Sequence, residues 1–220
     1  MVRIDMVSDI ACPWCAIGLS TLERALEDLK GRIDAEIYLQ PFELNPDMPP
    51  GGQEVIEHLS EKYGIGPDQV RENQQRIYDR AAQVGFEFHP QGRTHVYNTL
   101  NCHRLLHWAQ ETVGWQGALK LKKALFAAYF TTASNMDDLQ TLLGAVTQAG
   151  LDADQARTIL ESDQYTQAVR AEETRWKMLG IQAVPAFILD NHFLIQGAQS
   201  EAYLVAALEQ AQERQQDTQK

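Results

Sequence analysis

Apolar and polar residues alternate along Met1-Val-Arg-Ile-Asp-Met-Val-Ser8, which predicts a strand with one buried face. A helix is predicted to start at Pro13, because Leu19, Leu22, Leu26 and Leu29 recur at helical spacing and Gly31 marks a stop. Ala35 to Leu39 reads as a second strand, and the crossover is long enough for the two strands to run parallel. Five of the eight residues from Asn45 to Gly52 are Pro or Gly, so regular structure is interrupted there.

From residue 53 to about residue 180 the spacing is helical almost throughout. Val70, Ile77, Ala81 and Val84 form one stripe; Leu105, Leu106, Ala109 and Val113 form a second; Leu119, Ala124, Leu125 and Ala128 form a third. Further helices are predicted from Leu139 to Val146, Asp154 to Leu160 and Gln164 to Leu179, with Gly85 to Gly92 as the long break. The period then changes. Ala186 to Leu189 and His192 to Ile195 are predicted strands joined at Asp190-Asn191 by a tight hairpin turn. An amphipathic helix carrying Ala202, Val205, Ala206 and Leu208 follows, and the polar tail from Gln210 is expected to fray.

Residues 1–45 and 180–215 thus supply a βαβ and a ββα unit, roughly 80 residues in all, the size of one small α/β domain. Residues 46–179 are expected as a large all-helical insertion domain, and 216–220 as a polar tail.

Composition narrows the function class. With 44% hydrophobic and 22% charged residues in 220, the chain is an ordinary globular one, which excludes disordered and collagen-like classes. Nineteen basic against thirty acidic residues give a net charge of −11, which argues against nucleic acid or an anionic membrane as partner. Lys120, Lys122 and Lys123 are the best candidates for a local basic patch, and their spacing places them on the wet face of a helix. The N-terminal stretch does not read as a signal peptide. No run approaches the ~18 apolar residues of a membrane span, so a soluble cytoplasmic protein is expected. Three cysteines, Cys12, Cys15 and Cys102, are too few for a disulfide scaffold. In a reducing compartment a close pair points to catalysis or metal binding.

Cys12-Pro-Trp-Cys15 falls where the first strand hands over to the first helix. A helix N-terminus exposes unpaired N–H groups and carries roughly half a positive charge, which favours a thiolate. Pro13 suits the first turn, where its missing N–H is no loss. Cys12 is therefore expected as an exposed nucleophile of lowered pKa. Cys15, one turn further in and more buried, is expected to resolve a mixed disulfide by attacking Cys12. Two blander readings stay open: packed core cysteines, or half of a zinc site. Zinc needs two more ligands, and Cys102-His103, the candidate pair, are neighbours pointing about 100° apart on a helix.

A second clue is Ala183-Val184-Pro185-Ala186-Phe187, directly before the hairpin. A trans proline opening a strand is one reading. A cis Val184–Pro185 bond is the other, since such bonds are nearly confined to proline and mark a purposeful feature.

Together these stretches resemble the DsbA-like thioredoxin-fold oxidoreductases, and within them the FrnE group. The resemblance is carried by Ser8-Asp9, Cys12-Pro-Trp-Cys-Ala-Ile-Gly18, Pro41-Phe-Glu-Leu-Asn-Pro46, Asn98-Thr99 and His103-Arg-Leu105. Ala127-Ala-Tyr-Phe130, Val184-Pro185 and Gly197-Ala-Gln199 complete it, in order along nearly the whole chain. It implies an α/β thioredoxin-like fold with a large helical insertion, a cis-proline loop facing the dithiol, and thiol–disulfide exchange. Pro185 and Val184 are then expected to shape the groove where substrate docks. The partner would be a disulfide- or thiol-containing protein or small molecule, with no metal or organic cofactor and glutathione or another thiol as co-substrate. The chain is also similar in outline to the glutathione-dependent 2-hydroxychromene-2-carboxylate isomerases and kappa-class glutathione transferases. Those typically carry serine in place of the first cysteine. A glutathione-dependent isomerase or transferase is accordingly the runner-up, and a chaperone-like domain with vestigial cysteines a third reading.

One position departs from the pattern. The family implies a buried acidic residue six positions before the first cysteine, and here that position is Met6. The base that activates Cys15 is left to water or to a group from the insertion. Trp14 is expected to offer apolar contact to substrate. His103 is expected on a helix over the site, either holding substrate or shifting the Cys12 pKa, or else as a structurally bonded histidine. Cys102 shares a face with Leu105, Leu106 and Ala109 and reads as core.

Overall fold

A computed structural model of the chain describes residues 1–218, with Asp217 and Thr218 described by backbone only. It opens with β1 (Val2–Ser8), α1 (Pro13–Asp28) and β2 (Ala35–Pro41). β1 and β2 pair in parallel from Val2 beside Ala35 to Ser8 beside Pro41. β1 was expected to bury one face, yet every residue except Arg3 is buried. The reason is its central place in the sheet, with both faces covered. Asp5, at 2% exposure, is tolerated there because Arg3 and Gln40 donate three hydrogen bonds of 2.7–2.8 Å to it.

After β2 the chain builds a two-residue ribbon from β3 (Gln53–Glu54), which pairs antiparallel with a strand that follows two helices. Those helices are α2 (Val55–Tyr63), stopped by Gly64 at φ 65°, and α3 (Pro67–Gln83). The returning strand is β4 (His95–Val96). The non-helical stretch therefore runs on past Gly92 as far as Thr99, longer than the expected break.

α4 (Leu100–Phe126) is interrupted at Gly114, whose φ of 78° and ψ of 178° are non-helical. Its two arms correspond to the second and third stripes of the sequence, and Val113, beside the break, is exposed. A π-type turn over Ala127–Thr131 ends it. α5 (Leu139–Gln148) and α6 (Ala153–Leu160) are capped by the carboxylates of Asp138 and Asp152, and α7 (Thr166–Met178) leads back to the sheet.

β5 (Ala186–Leu189) and β6 (Phe193–Gln196) form the expected hairpin. Asp190 and Asn191 hold φ of 51° and 58°, the left-handed pair that such a turn requires. α8 (Glu201–Thr218) closes the fold. The tail from Gln210 does not fray before Thr218. Ala211 is buried, and Gln212 and Gln215 donate to the carbonyls of Arg32 and Met1 at 2.9 Å each. Residues 219–220 of the expected tail lie outside the described residues.

The sheet order is β2-β1-β5-β6, parallel at the first pair and antiparallel thereafter. α1 and α8 pack together, while α4 and α7 pack on β2. One apolar cluster runs from Ile4 and Met6 through Leu105 and Leu125 to Val146 and Ile159, so the helical segment and the sheet share a core. At about 1.5–3 kcal/mol per fully buried large side chain, this shared core holds the helices over the end of β1. The topology is the thioredoxin-like α/β arrangement with a helix-rich insertion.

Candidate functional site

The site forms where β1 ends. Asp9, fully buried in the turn into α1, accepts hydrogen bonds from Ala11 N at 3.0 Å, Leu44 N at 2.7 Å and Thr99 Oγ1 at 2.7 Å. His103 Nε2 lies 3.4 Å from Asp9 Oδ1, without the alignment of a hydrogen bond. Burial pushes the Asp9 carboxyl up, but His103 and the two backbone N–H groups together carry it below its ordinary value. The carboxylate thus ties the Cys12 turn, the segment after β2 and the entrance of α4 into one unit.

Cys12 is the N-cap of α1, with Pro13 at the first helical position. Its Sγ lies 3.6 Å from the carbonyl oxygen of Val184, and the Val184–Pro185 bond is cis. A hydrogen bond from the Cys15 thiol lowers the Cys12 pKa; burial opposes it, the N–H groups of Cys15 and Trp14 add to it, and the Asp9 charge opposes it. Cys15 goes the other way: burial, then the neighbouring Cys12 sulfur, push it well above its ordinary value. Both are free thiols. The two sulfurs are pushed in opposite directions, Cys12 towards the thiolate and Cys15 towards the thiol, the division of labour that exchange chemistry needs.

Cys12 was expected to be exposed. It is 4% exposed, because α2, α3 and the segment after α3 fold over it. It opens instead onto a cavity of about 420 Å³ whose lining includes Trp14, Leu44, His58, Lys62, Tyr63 and Arg93. Arg93 donates to the Ala11 carbonyl at 2.7 Å, and its guanidinium stacks 4.9 Å from the Tyr129 ring centre. Lys62 Nζ donates to Asn45 Oδ1 at 2.6 Å and Leu44 O at 3.0 Å; burial lowers its pKa, against the pull of Asp9 and Cys12. His58 bridges Gln53 and Asn45. The cavity is lined mainly by apolar side chains such as Leu59, Ile77 and Phe88, and Lys62, Arg76 and Arg93 set positive charge on it.

Trp14, 38% exposed, lines the cavity with Cys12. Cys15, Val184 and Pro185 are not part of the cavity lining, but Val184 meets Cys12 through its carbonyl and Pro185 packs against Gly18 of α1. His103 does not join them. At 2% exposure it lies away from the cavity and faces Asp9, so its expected contact with substrate is replaced by contact with the carboxylate that braces the turn. Cys102 is fully buried, and burial pushes its thiol up. Among the described residues, no group of three His, Cys, Asp or Glu side chains is arranged to hold a metal ion.

Lys122 was placed on a wet helical face; it is 1% exposed, and its Nζ donates to Ser8 Oγ at 2.7 Å. The signal was in its neighbours: Ala118, Leu125 and Phe126 stand at i−4, i+3 and i+4, and all are buried. Lys120 and Lys123 do face outward, Lys123 bridging Glu23 at 2.7 Å. Lys62 and Arg93 carried no comparable signal, since each acts on Cys12 from a segment remote in sequence.

A solved structure of a probable DsbA oxidoreductase from Streptomyces coelicolor is 32% identical over 97% of this chain and 91% of that one, with a TM-score of 0.89. The uncharacterized protein YwbO of Bacillus subtilis (strain 168) is 28% identical over 192 residues, 86% of this chain and 88% of YwbO. The cytosolic disulfide reductase DsbM from Pseudomonas aeruginosa, solved with GSH, shares the fold at 17% identity and a TM-score of 0.63, covering 99% of this chain and all of that one. Residues 3–209 match the family model described as the DsbA-like thioredoxin domain, and the chain belongs to that family.

Proposed function

We propose that the chain is a thiol–disulfide oxidoreductase of the FrnE group, working through Cys12 and Cys15. The observation that carries this reading is the placement of the two sulfurs: Cys12 stands at the N-cap of α1, opens onto the cavity and lies 3.6 Å from the Val184 carbonyl, while Cys15 is fully buried one turn behind it. A substrate disulfide docks against Trp14, Val184 and Pro185. The Cys12 thiolate attacks one of its sulfurs, the S–S bond breaks, and the leaving thiolate takes up a proton. Cys15 then attacks Cys12 Sγ, releasing the second thiol and leaving the Cys12–Cys15 disulfide. Two electrons pass from protein to substrate; run backwards, the same steps oxidise a dithiol substrate.

Lys62, Arg76 and Arg93 on the cavity favour a small anionic thiol as the partner that recycles the pair. Lys62 and Arg93 match the carboxylates of glutathione, and DsbM, described as cytosolic, was solved with that thiol. A cytoplasmic setting fits the same chemistry. Among the described residues no helix is long and apolar enough to cross a membrane.

A second reading takes support from the cavity beside Cys12: a glutathione-dependent isomerase or transferase would use its volume of about 420 Å³ for a small substrate. A redox titration in glutathione buffers, quenched by alkylation and read by mass, separates the two. Cys12 and Cys15 moving together as a two-electron couple supports exchange. Turnover that survives Cys12→Ser overturns it. Activity kept by Cys15→Ser together with tight glutathione binding moves the assignment to the second reading.

A further inference from the structure

We propose that Lys122 is the general base of the resolving step, its side-chain amine taking the proton that the Cys15 thiol must lose. The inference rests on the exchange reading above and supplies the base which that chemistry lacks at Met6. Asp9 is no substitute, because its carboxylate is already engaged by Ala11, Leu44 and Thr99.

Lys122 reaches the dithiol from the second arm of α4, with Nζ 2.7 Å from Ser8 Oγ at the end of β1. Besides Ser8, which it bonds, the groups whose charge acts on it are Cys15 and Cys12 from the start of α1, Asp9 from the turn after β1, and Cys102 from the first arm of α4. The Phe126 ring, on its own turn, lies 5.1 Å away. Among the described residues Lys122 forms no ion pair with a carboxylate. A fully buried ammonium without a paired counter-ion is costly, so burial favours the neutral amine, while the charge of Asp9 pulls the other way. Burial lowers the Lys122 pKa and raises that of Cys15, which brings the base and the acid towards each other.

In the step, the Cys15 thiol gives its proton to the Lys122 amine. The Cys15 thiolate attacks Cys12 Sγ in the mixed disulfide, and the bond from Cys12 to the substrate sulfur breaks. Its electron pair leaves on that sulfur, which receives the proton from the ammonium or from water. The dithiol is oxidised by two electrons and the substrate disulfide is reduced by two.

The test mixes reduced protein with oxidised glutathione, quenches with acid and follows by mass both the rise of the Cys12–glutathione adduct and its decay, between about pH 6 and pH 10. In Lys122→Met, decay at pH 7 is expected to slow at least about tenfold and to recover as the pH rises, each unit of Cys15 pKa being worth a factor of about ten in thiolate. Formation of the adduct by Cys12 is expected to change less than about threefold. An unchanged decay rate and pH profile overturns the role of Lys122. If the variant does not fold, NMR titration of the Lys122 side-chain nitrogen in the wild-type protein decides. A midpoint that differs between dithiol and disulfide forms supports the proposal; equal midpoints overturn it. Absence of any mixed disulfide in the wild type strikes the oxidoreductase reading itself, whereas a normal wild type with an unaffected variant strikes only Lys122.

Discussion

Gly18 of α1 lies directly against Pro185: a Cβ at Gly18 would stand 3.0 Å from Pro185 Cγ and 3.2 Å from Phe187 Cζ. The hydrogen at this position lets the Val184–Pro185 loop close on the helix that carries the dithiol. Phe187 is fully buried in the sheet and cannot yield, so the loop must move. Gly18→Ala is expected to destabilise the protein by about 1–3 kcal/mol, the usual range for overpacking. It is also expected to slow mixed-disulfide formation, because the Val184–Pro185 loop that flanks the Cys12 sulfur is displaced from it. Urea unfolding and the rate of glutathione adduct formation measure the two effects. Unaltered stability together with an unaltered rate would show that the contact is loose.

Asp9 has two opposed effects, and Asp9→Asn separates them. Its charge disfavours the Cys12 thiolate, so the neutral amide is expected to lower the Cys12 pKa, measured by the pH dependence of alkylation. Its hydrogen bonds hold the turn, and weakening that buried network is expected to cost about 1–3 kcal/mol. The pH dependence has a definite sign. A carboxyl whose folded pKa is lowered adds stability above its unfolded value, and that stability is lost as the pH falls through the folded value. The wild type should therefore lose stability on the acid side more steeply than Asp9→Asn. Parallel acid limbs would remove Asp9 from the account.

The elements that position the dithiol were legible in the sequence because their signals are local. Leu19, Leu22 and Leu26 mark α1, Asp190-Asn191 marks the hairpin, and the junction before Cys12 marks the helix N-terminus. What surrounds Cys12 was not legible. Lys122 and Ser8 meet across 114 residues, and Arg93 and Ala11 across 82. No periodicity within a short window encodes such a pairing. The ribbon of β3 and β4 is two residues long on each side, too short to show an alternation. Cys12 was misjudged as exposed for the same reason, since its cover comes from α2, α3 and Arg93.

Glu43 and Glu173 are both buried and share one arginine, Arg170, which contacts both carboxylates. Burial, then the charge of Glu173, push the Glu43 carboxyl up to about 8, against the pull of Arg170. A carboxyl raised in the folded state favours folding while protonated, so stability is expected to fall as the pH climbs from the ordinary carboxylate range towards 8. Glu43→Gln, which mimics the protonated acid, is expected to melt with the wild type at pH 5 and above it near pH 8. Melting curves that stay parallel across that range would show that Arg170 neutralises both carboxylates.

Lys62 tests what the cavity recognises. Its ammonium lines the cavity beside Cys12 and is held by Asn45 Oδ1 at 2.6 Å, so it is fixed in place to meet an incoming anion. Lys62→Gln is expected to raise KM for oxidised glutathione about tenfold, roughly 1.4 kcal/mol of lost binding. With the neutral hydroxyethyl disulfide, KM is expected to change less than about twofold, since that substrate brings no carboxylate to pair. The contrast between substrates should shrink at high salt, where the charge pairing is screened. Alkylation of Cys12 by a neutral reagent controls for nucleophilicity. Equal losses with both disulfides, matched by slower alkylation, would mean that Lys62 serves the thiolate and not the substrate. A loss confined to the charged disulfide assigns Lys62 to recognition of a small anionic thiol.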